Sequence, residues 1–430
     1  MDDSYKHALG IVKKLVKAGY VAYFAGGWVR DYLMKHPSSD IDIATNASPE
    51  EILDLFPHTL LVGLAFGVVI VLIEGHQFEV STFRQDFDYT GRKPAKIELS
   101  TPYEDAQRRD FTINGMFYDP LEDTIYDYVH GIEDIKKGVI RTIGNPQERF
   151  LEDRLRMVRA IRFASRFGFL IDPETQEAIC ENADTLFPSV AKERIWQEFN
   201  KMRDYPRFDH ALIELHRSRL LPEIFPSLAM THLNEIKKRV QPFALYPATT
   251  PTILFLIQLF PDESIDFLLE ICKELKTGKN EWRYVEVYCL AKRLIEEASH
   301  PKKKVEWTRF YALPESSLCL EVLAANHLIF EEQEKFKASH LTQQEHLSPH
   351  IARIQNKTPL ITAHFLMNQG ILPGKQMGML LKEAEELVIL LHLDDPNEVL
   401  ALLKRTTLWP KQEEKHDKHT NDSKSAESTH

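Results

Sequence analysis

YVAYFAGGWVRDYLMKHPSSDIDIAT, residues 20–45, decides how the amino-terminal part of the chain folds. Tyr20–Ala25 is a short β-rich run that stops at Gly26-Gly27. Adjacent glycines let backbone N–H groups approach a phosphate closely, and Arg30 behind them brings a neutralising charge. A plain strand-to-helix turn reads the same way when this fragment stands alone. Ser39-Asp40-Ile41-Asp42-Ile43 then places two carboxylates at i and i+2. Side chains on a strand alternate between faces, so both carboxylates project from one side. Two hard oxygen donors so spaced suit Mg²⁺, which keeps several waters and shares substrate phosphates. An isolated Asp-x-Asp is more often a surface turn. The glycine pair upstream makes this one informative.

Working outward, a helix is expected from about Tyr5 to Ala18, ended by Gly19. Ser48-Pro49-Glu50-Glu51 is a capped helix start with proline at its first position. Phe66–Glu74 and Phe78–Arg84 are strand-like runs joined through Gly75-His76, which predicts a β-hairpin. After about residue 145 strand signals nearly vanish and helix-period segments take over. Pro146 sits near the start of one long predicted helix through Phe167, closed by Gly168. Further helices are expected at Lys192–Asp204, Phe208–Leu220, Ser264–Leu275, Glu281–Ala298 and Gly378–Leu391. Residues 411–430 are polar and predict a disordered tail.

Length and charge narrow the class. A chain of 430 residues is too long for one ordinary core. Its polar, acidic start, MDDSYKH, lacks the order of a secretion signal. The longest apolar run, Leu60–Ile73, contains two glycines and is too short for a membrane span. Cys180, Cys272, Cys289 and Cys319 are widely spaced and predict reduced thiols in a cytoplasmic protein. The net charge of −11 argues mildly against a nucleic-acid partner. Between Arg141 and Arg166, however, seven arginines stand against three acids, and an electrostatic footprint is expected there.

Gly26-Gly27-Trp28-Val29-Arg30-Asp31, followed nine residues later by Asp40-Ile41-Asp42, resembles the polymerase-β nucleotidyltransferase superfamily. Within it the chain is similar to class II tRNA nucleotidyltransferases and bacterial poly(A) polymerases. The resemblance implies an α/β catalytic head with a mixed sheet (1–140), a helical neck (141–224) and an all-α body and tail (225–410) that binds RNA. It also implies a third carboxylate beside Asp40 and Asp42, for which Glu79 is the candidate. Glu79 lies on the strand face opposite apolar Phe78 and Val80, and a solvent-facing glutamate is the alternative. Arg108-Arg109-Asp110-Phe111-Thr112-Ile113-Asn114 is similar to the family's second motif. Its arginines suit a triphosphate, and Asp110 with Asn114 suits ribose hydroxyls. Gly115 stands where the family usually has alanine, a change expected only to loosen a helix turn.

Glu152-Asp153-Arg154-Leu155-Arg156 resembles the family's base-reading element. Asp153 and Arg156, three apart, would be neighbours on a helix. A carboxylate accepts from the exocyclic amine of cytosine or adenine, and arginine donates to the adjacent ring nitrogen. Uracil and guanine present a carbonyl oxygen there instead, so the pair selects C and A without a template. Arg159 is assigned to the nucleotide's phosphates and Arg162, more loosely, to the same pocket. Thr82-Phe83-Arg84 through Pro94 resembles a flexible loop that helps switch from C to A addition. Met367–Leu381 weakly resembles the family's tail segment, and Lys302-Lys303-Lys304 is a possible phosphate contact.

The expectation is therefore CCA addition to tRNA 3′ ends from CTP and ATP, with Mg²⁺ on Asp40 and Asp42. A poly(A) polymerase, or an enzyme adding only CC or only A, is the alternative. Gly63–Val69 lacks the arginine-rich signature of the polymerase branch. His416-Asp417, the sole His-Asp dipeptide, lies in the polar tail, and no phosphatase activity is expected.

Overall fold

The computed structural model describes residues 3–36, 38–61, 67–90, 93–297 and 303–410. Gly63–Phe66, Gly91-Arg92, Lys302 and the polar tail lie outside them. The chain forms two compact units, Met1–Val285 and Glu286–His430.

The first unit is built on a seven-stranded mixed sheet. In chain order its opening elements are α1 (Asp3–Lys17), β1 (Ala22–Ala25), α2 (Gly27–Leu33), β2 (Asp42–Thr45), α3 (Pro49–Leu55), β3 (Thr59–Leu61), β4 (Val68–Ile73) and β5 (His76–Thr82). A separate hairpin, β6 (Arg84–Thr90) with β7 (Lys93–Leu99), occupies the stretch read as a flexible loop. Then follow α4 (Pro102–Gln107), a 3₁₀ turn at Thr112–Asn114, β8 (Phe117–Asp119), β9 (Thr124–Tyr126) and α5 (Gly131–Lys137). The sheet order is β3-β4-β5-β2-β1-β8-β9, with β2 and β5 parallel and the other pairs antiparallel.

Local chemistry explains the boundaries. Ser48 Oγ accepts from the Glu51 N–H at 3.3 Å and Glu51 Oε2 accepts from the Ser48 N–H at 2.7 Å, a capping box that starts α3. Such a cap stabilises its helix by about 1 kcal/mol. Thr101 and Glu104 start α4 in the same way. Glu74 and Gly75, at φ 47° and 82°, form the two-residue turn between β4 and β5. Positive φ at both central positions is what a type I′ hairpin requires.

The two sheet faces have different work. Ile43, Phe24, Val69, Val71, Phe78 and Val80 pack under Ala8, Ile11, Val12 and Leu15 of α1 and Ile52 of α3. The other face buries Ala25, Ala44, Phe83, Ala106 and Phe117 with Val129 and Ile143. Ile43 lies opposite Val80 in the β2–β5 register. Asp42 and Glu79, each one residue earlier, therefore leave the sheet together on the second face.

Helices dominate after residue 145: α6 (Pro146–Glu152), α7 (Leu155–Phe167), α8 (Pro173–Asn182), the short α9 (Leu186–Ser189) and α10 (Lys192–Arg203). A small parallel pair, β10 (Val139–Ile140) with β11 (Leu170–Ile171), ties residues 138–140 to the end of α7. The single long helix expected over 146–167 is instead two. Asp153 takes an extended conformation (φ −145°, ψ 102°) between α6 and α7. Its carboxylate accepts the Leu155 N–H at 3.1 Å, so the aspartate caps a new helix instead of continuing the old one.

Gly115 also departs from its reading. A Cβ there would stand 2.7 Å from Val129 Cγ2 and 2.9 Å from Ile143 Cδ1. The missing methyl is a packing requirement of this chain, not a loosened turn.

Among the described residues of the second unit the regular elements are helices, including Lys303–Tyr311, Ser316–Ala325, Phe330–Asn356 and Lys375–Leu391. Ile361, Leu366, Ile371, Met377 and Leu380 form part of its own core. Lys304 donates to the Leu390 carbonyl at 3.2 Å at the end of Lys375–Leu391. The four cysteines are free thiols, and among the described residues no helix is long and apolar enough to cross a membrane.

Candidate active site

A cavity of about 380 Å³ opens above the second face of the sheet. Gly26 and Gly27 enter it from the β1–α2 junction, Arg30 from α2 and Asp42 from the start of β2. Arg108, Arg109, Asp110 and Asn114 come from the segment after α4, and Asp153, Arg156, Arg159 and Phe163 from α6–α7. Arg194 completes the lining from α10. Residues read from three separate motifs thus meet in one place.

Gly26 has φ 66°, and a Cβ on it would lie 3.0 Å from Arg109 Nη1 and 3.9 Å from Asp42 Oδ2. Glycine is required there for backbone angle and for space alike. Asp42 is pushed up to about 7, first by burial and then by the charges of Glu79 and Asp40. Burial and Asp40 raise Glu79 as well. Asp40 is exposed just before β2, and neither it nor Glu79 lines the cavity. Among the described residues, no three histidine, cysteine, aspartate or glutamate side chains are gathered into a ready ligand set. The donor chemistry nonetheless fits a divalent cation. The donors are hard oxygens whose mutual repulsion a cation would relieve, and substrate phosphates and water supply the remaining positions.

Every arginine of the cavity already has an acidic partner. Arg30 is buried, with Nε 2.9 Å from Asp31 Oδ1 and Nη1 2.6 Å from Asn114 Oδ1. Its guanidinium lies 4.7 Å from the Phe167 ring centroid. Arg108 Nε donates to Asp105 Oδ1 at 2.7 Å, and Arg109 Nη2 to Asp105 Oδ2 at 3.0 Å. Arg156 pairs with Glu152 and donates to the Arg149 carbonyl. Arg159 Nε donates to Asp110 Oδ2 at 2.9 Å. Asp110 Oδ1 accepts from Asn114 Nδ2 at 3.0 Å, so Asp110 and Asn114 do stand together. Burial alone would raise Asp110, but Arg159 and Asn114 outweigh it and hold the carboxyl far below its usual range.

Three expectations change. Asp153 and Arg156 share the cavity without pairing with each other, because Asp153 is bound by Arg194. Arg162 turns out of the cavity, with Nε 2.6 Å from Glu198 Oε2 in a buried pair. The arginine-rich stretch 141–166 is not an outward footprint. Arg141 binds Asp134 and Asp172, Arg149 binds Glu152 and the Arg108 and Arg109 carbonyls, and Arg166 binds Asp31.

Asp105, Phe163 and Arg194 were not singled out by sequence. Asp105 carried one usable signal, its i+3 and i+4 spacing to Arg108 and Arg109. Arg194 carried none.

Comparison with known proteins identifies the family. Residues 22–141 match the family described as the poly A polymerase head domain, and 168–231 the one described as a probable RNA and SrmB-binding site of polymerase A. The CCA-adding enzyme of Bacillus licheniformis is 46% identical over 204 residues, 47% of this chain and 51% of that protein. The chain thus spans about half the length of that relative. The CCA-adding enzyme of Lactobacillus johnsonii is 31% identical over 403 residues, covering 90% of this chain and 94% of that protein. The crystal structure of the Bacillus stearothermophilus CCA-adding enzyme in complex with CTP superimposes with a TM-score of 0.76 at 27% identity, over 94% of this chain and 97% of that one. With a relative 31% identical and matched across nearly its whole length, the chain belongs to the CCA-adding enzyme family.

Proposed function

We propose that the protein adds CCA to the 3′ ends of tRNA from CTP and ATP, releasing pyrophosphate. The observation that carries this reading is the meeting of Asp153 and Arg156 with Asp42, Gly26 and Arg109 in one cavity. Asp40 and Asp42 would hold Mg²⁺, with Glu79 adding negative charge beside them. When bound, such a cation lowers the pKa of an attacking hydroxyl and neutralises developing phosphate charge. The chain's own residues do the rest. The tRNA 3′-hydroxyl attacks the α-phosphate, and Arg109, Arg159 and Arg30 offset the charge that builds on the phosphates. Gly26 and Gly27 let the backbone reach those phosphates, while Asp110 and Asn114 face the ribose. Asp153 accepts from the exocyclic amine of C or A and Arg156 donates to the neighbouring ring nitrogen.

The names of the relatives favour CCA addition over poly(A) synthesis. In this reading residues 225–410 contact RNA and the reaction takes place in the cytoplasm.

The test supplies tRNA ending before CCA with CTP and ATP, separately and together. Addition that stops at CCA is expected, and long A tails on any RNA would overturn the reading. Asp40→Ala should remove all incorporation; retained activity would remove the metal assignment.

A further inference from the structure

Asp153 is held by Arg194 at two points. Arg194 Nη1 donates to Oδ1 at 3.1 Å and Nη2 to Oδ2 at 2.9 Å. Oδ1 also accepts the Leu155 N–H at 3.1 Å. A carboxylate has about four lone-pair directions, two on each oxygen. Oδ1 has both of its directions filled, and Oδ2 has one. A single acceptor direction is left, in a plane fixed by the guanidinium fork and at the wall of the cavity.

We infer that Arg194 is a positioning residue for base selection, leaving Asp153 one oriented acceptor that only a base with an amine at pyrimidine C4 or purine C6 can satisfy. The inference rests on the reading of Asp153 as the base's partner given above. A carboxylate held at one point can turn about its Cβ–Cγ bond and offer a different lone pair to each base. A two-point arginine contact removes that freedom. The amine of cytosine or adenine completes the site, whereas the carbonyl oxygen of uracil or guanine meets a second acceptor with no proton between them.

The anchor under Arg194 is itself firm. One turn later on α10, Glu198 is buried against Arg162 of α7, and Ile195 and Phe199 are fully buried. Arg162, displaced from the cavity, therefore contributes at one remove by fixing α10 against α7. Arg194 sets the acceptor and Arg162 sets the helix that carries it.

The test measures kcat and KM for single additions of CTP, ATP, UTP and GTP to tRNA lacking its terminal nucleotides. Wild type is compared with Arg194→Met, Arg194→Lys and Asp153→Asn, each with a thermal melt. Arg194→Met should raise UTP and GTP use relative to CTP and ATP by about tenfold or more. Arg194→Lys, which keeps the charge but offers one contact, should fall between Met and wild type. The ratio cancels any loss of folded enzyme. If Arg194→Met does not fold, Arg194→Lys carries the decision, and its ratio must exceed the wild-type value. Asp153→Asn with wild-type selectivity would remove the base-reading assignment itself. A shift in Asp153→Asn with both Arg194 variants at wild-type ratios, or an equal fall for all four nucleotides that lysine does not lessen, would overturn the role of Arg194 alone.

Discussion

Asp42 is pushed up to about 7 from an ordinary 3.8, by burial first and then by Glu79 and Asp40. Its folded value lies above its unfolded one, so between 3.8 and about 7 the folded chain binds the extra proton. Stability therefore falls as pH rises through that window, and the cost persists above it. Asp42→Asn should remove this cost. In buffer without divalent ions, the variant should exceed wild type by about 1–2 kcal/mol at pH 8, after allowance for solvent screening. The gain should shrink toward pH 4, and the same variant should lose nucleotide transfer. Melts at pH 5 and pH 8 decide it, and a less stable variant at pH 8 would count against the charge argument. Gly115→Ala works in the opposite direction. The contacts of 2.7 and 2.9 Å that its Cβ would make predict a loss of about 1–3 kcal/mol. Val129→Ala in the same chain should lessen the added cost, which a double-mutant cycle of melts would show.

Among elements, α4 carries the one buried acid that holds both arginines proposed to face the phosphates. Asp105 holds Arg108 and Arg109, whose charges outweigh burial and keep its carboxyl below the usual range. Asp105→Asn leaves one acceptor for two guanidinium groups. KM for CTP and ATP should rise by about tenfold together, with the C-to-A preference unchanged, since the residues proposed to read the base stand at the α6–α7 junction, on α7 and on α10. A changed preference would mean that the two functions are not separable by element. The same division explains what could be read from sequence. Gly26-Gly27, the glycine of the β4–β5 turn and the Ser48 cap each answer a local backbone need, and such needs leave a residue signature, although the turn lies at Glu74-Gly75, one residue before the expected Gly75-His76. The pairing of Arg194 with Asp153, 41 residues away, leaves none. Arg159 and Arg162 repeat the same spacing on one helix, yet only the first lines the cavity. The break at Asp153 was hidden because Glu-Asp-Arg-Leu-Arg reads as one helix until the Leu155 N–H finds the aspartate.

At the scale of the molecule, every residue lining the cavity belongs to Met1–Val285. A chain ended after the helix Lys279–Glu296 should bind CTP within about threefold of the full protein, because domains carry their own cores and sites. Calorimetric titration checks this, and lost binding would make the second unit part of the site. The six arginines lining the cavity are all satisfied within the protein before a substrate arrives. A triphosphate therefore does not fill a vacancy. On the proposed reading, it would compete with the carboxylates of Arg30, Arg109 and Arg159 while the Arg194–Asp153 pair stays in place, so its affinity would be the difference between two sets of partners. On the reading given above, that suits an enzyme that must release one nucleotide's leaving group and admit a different nucleotide between successive additions to a single RNA end.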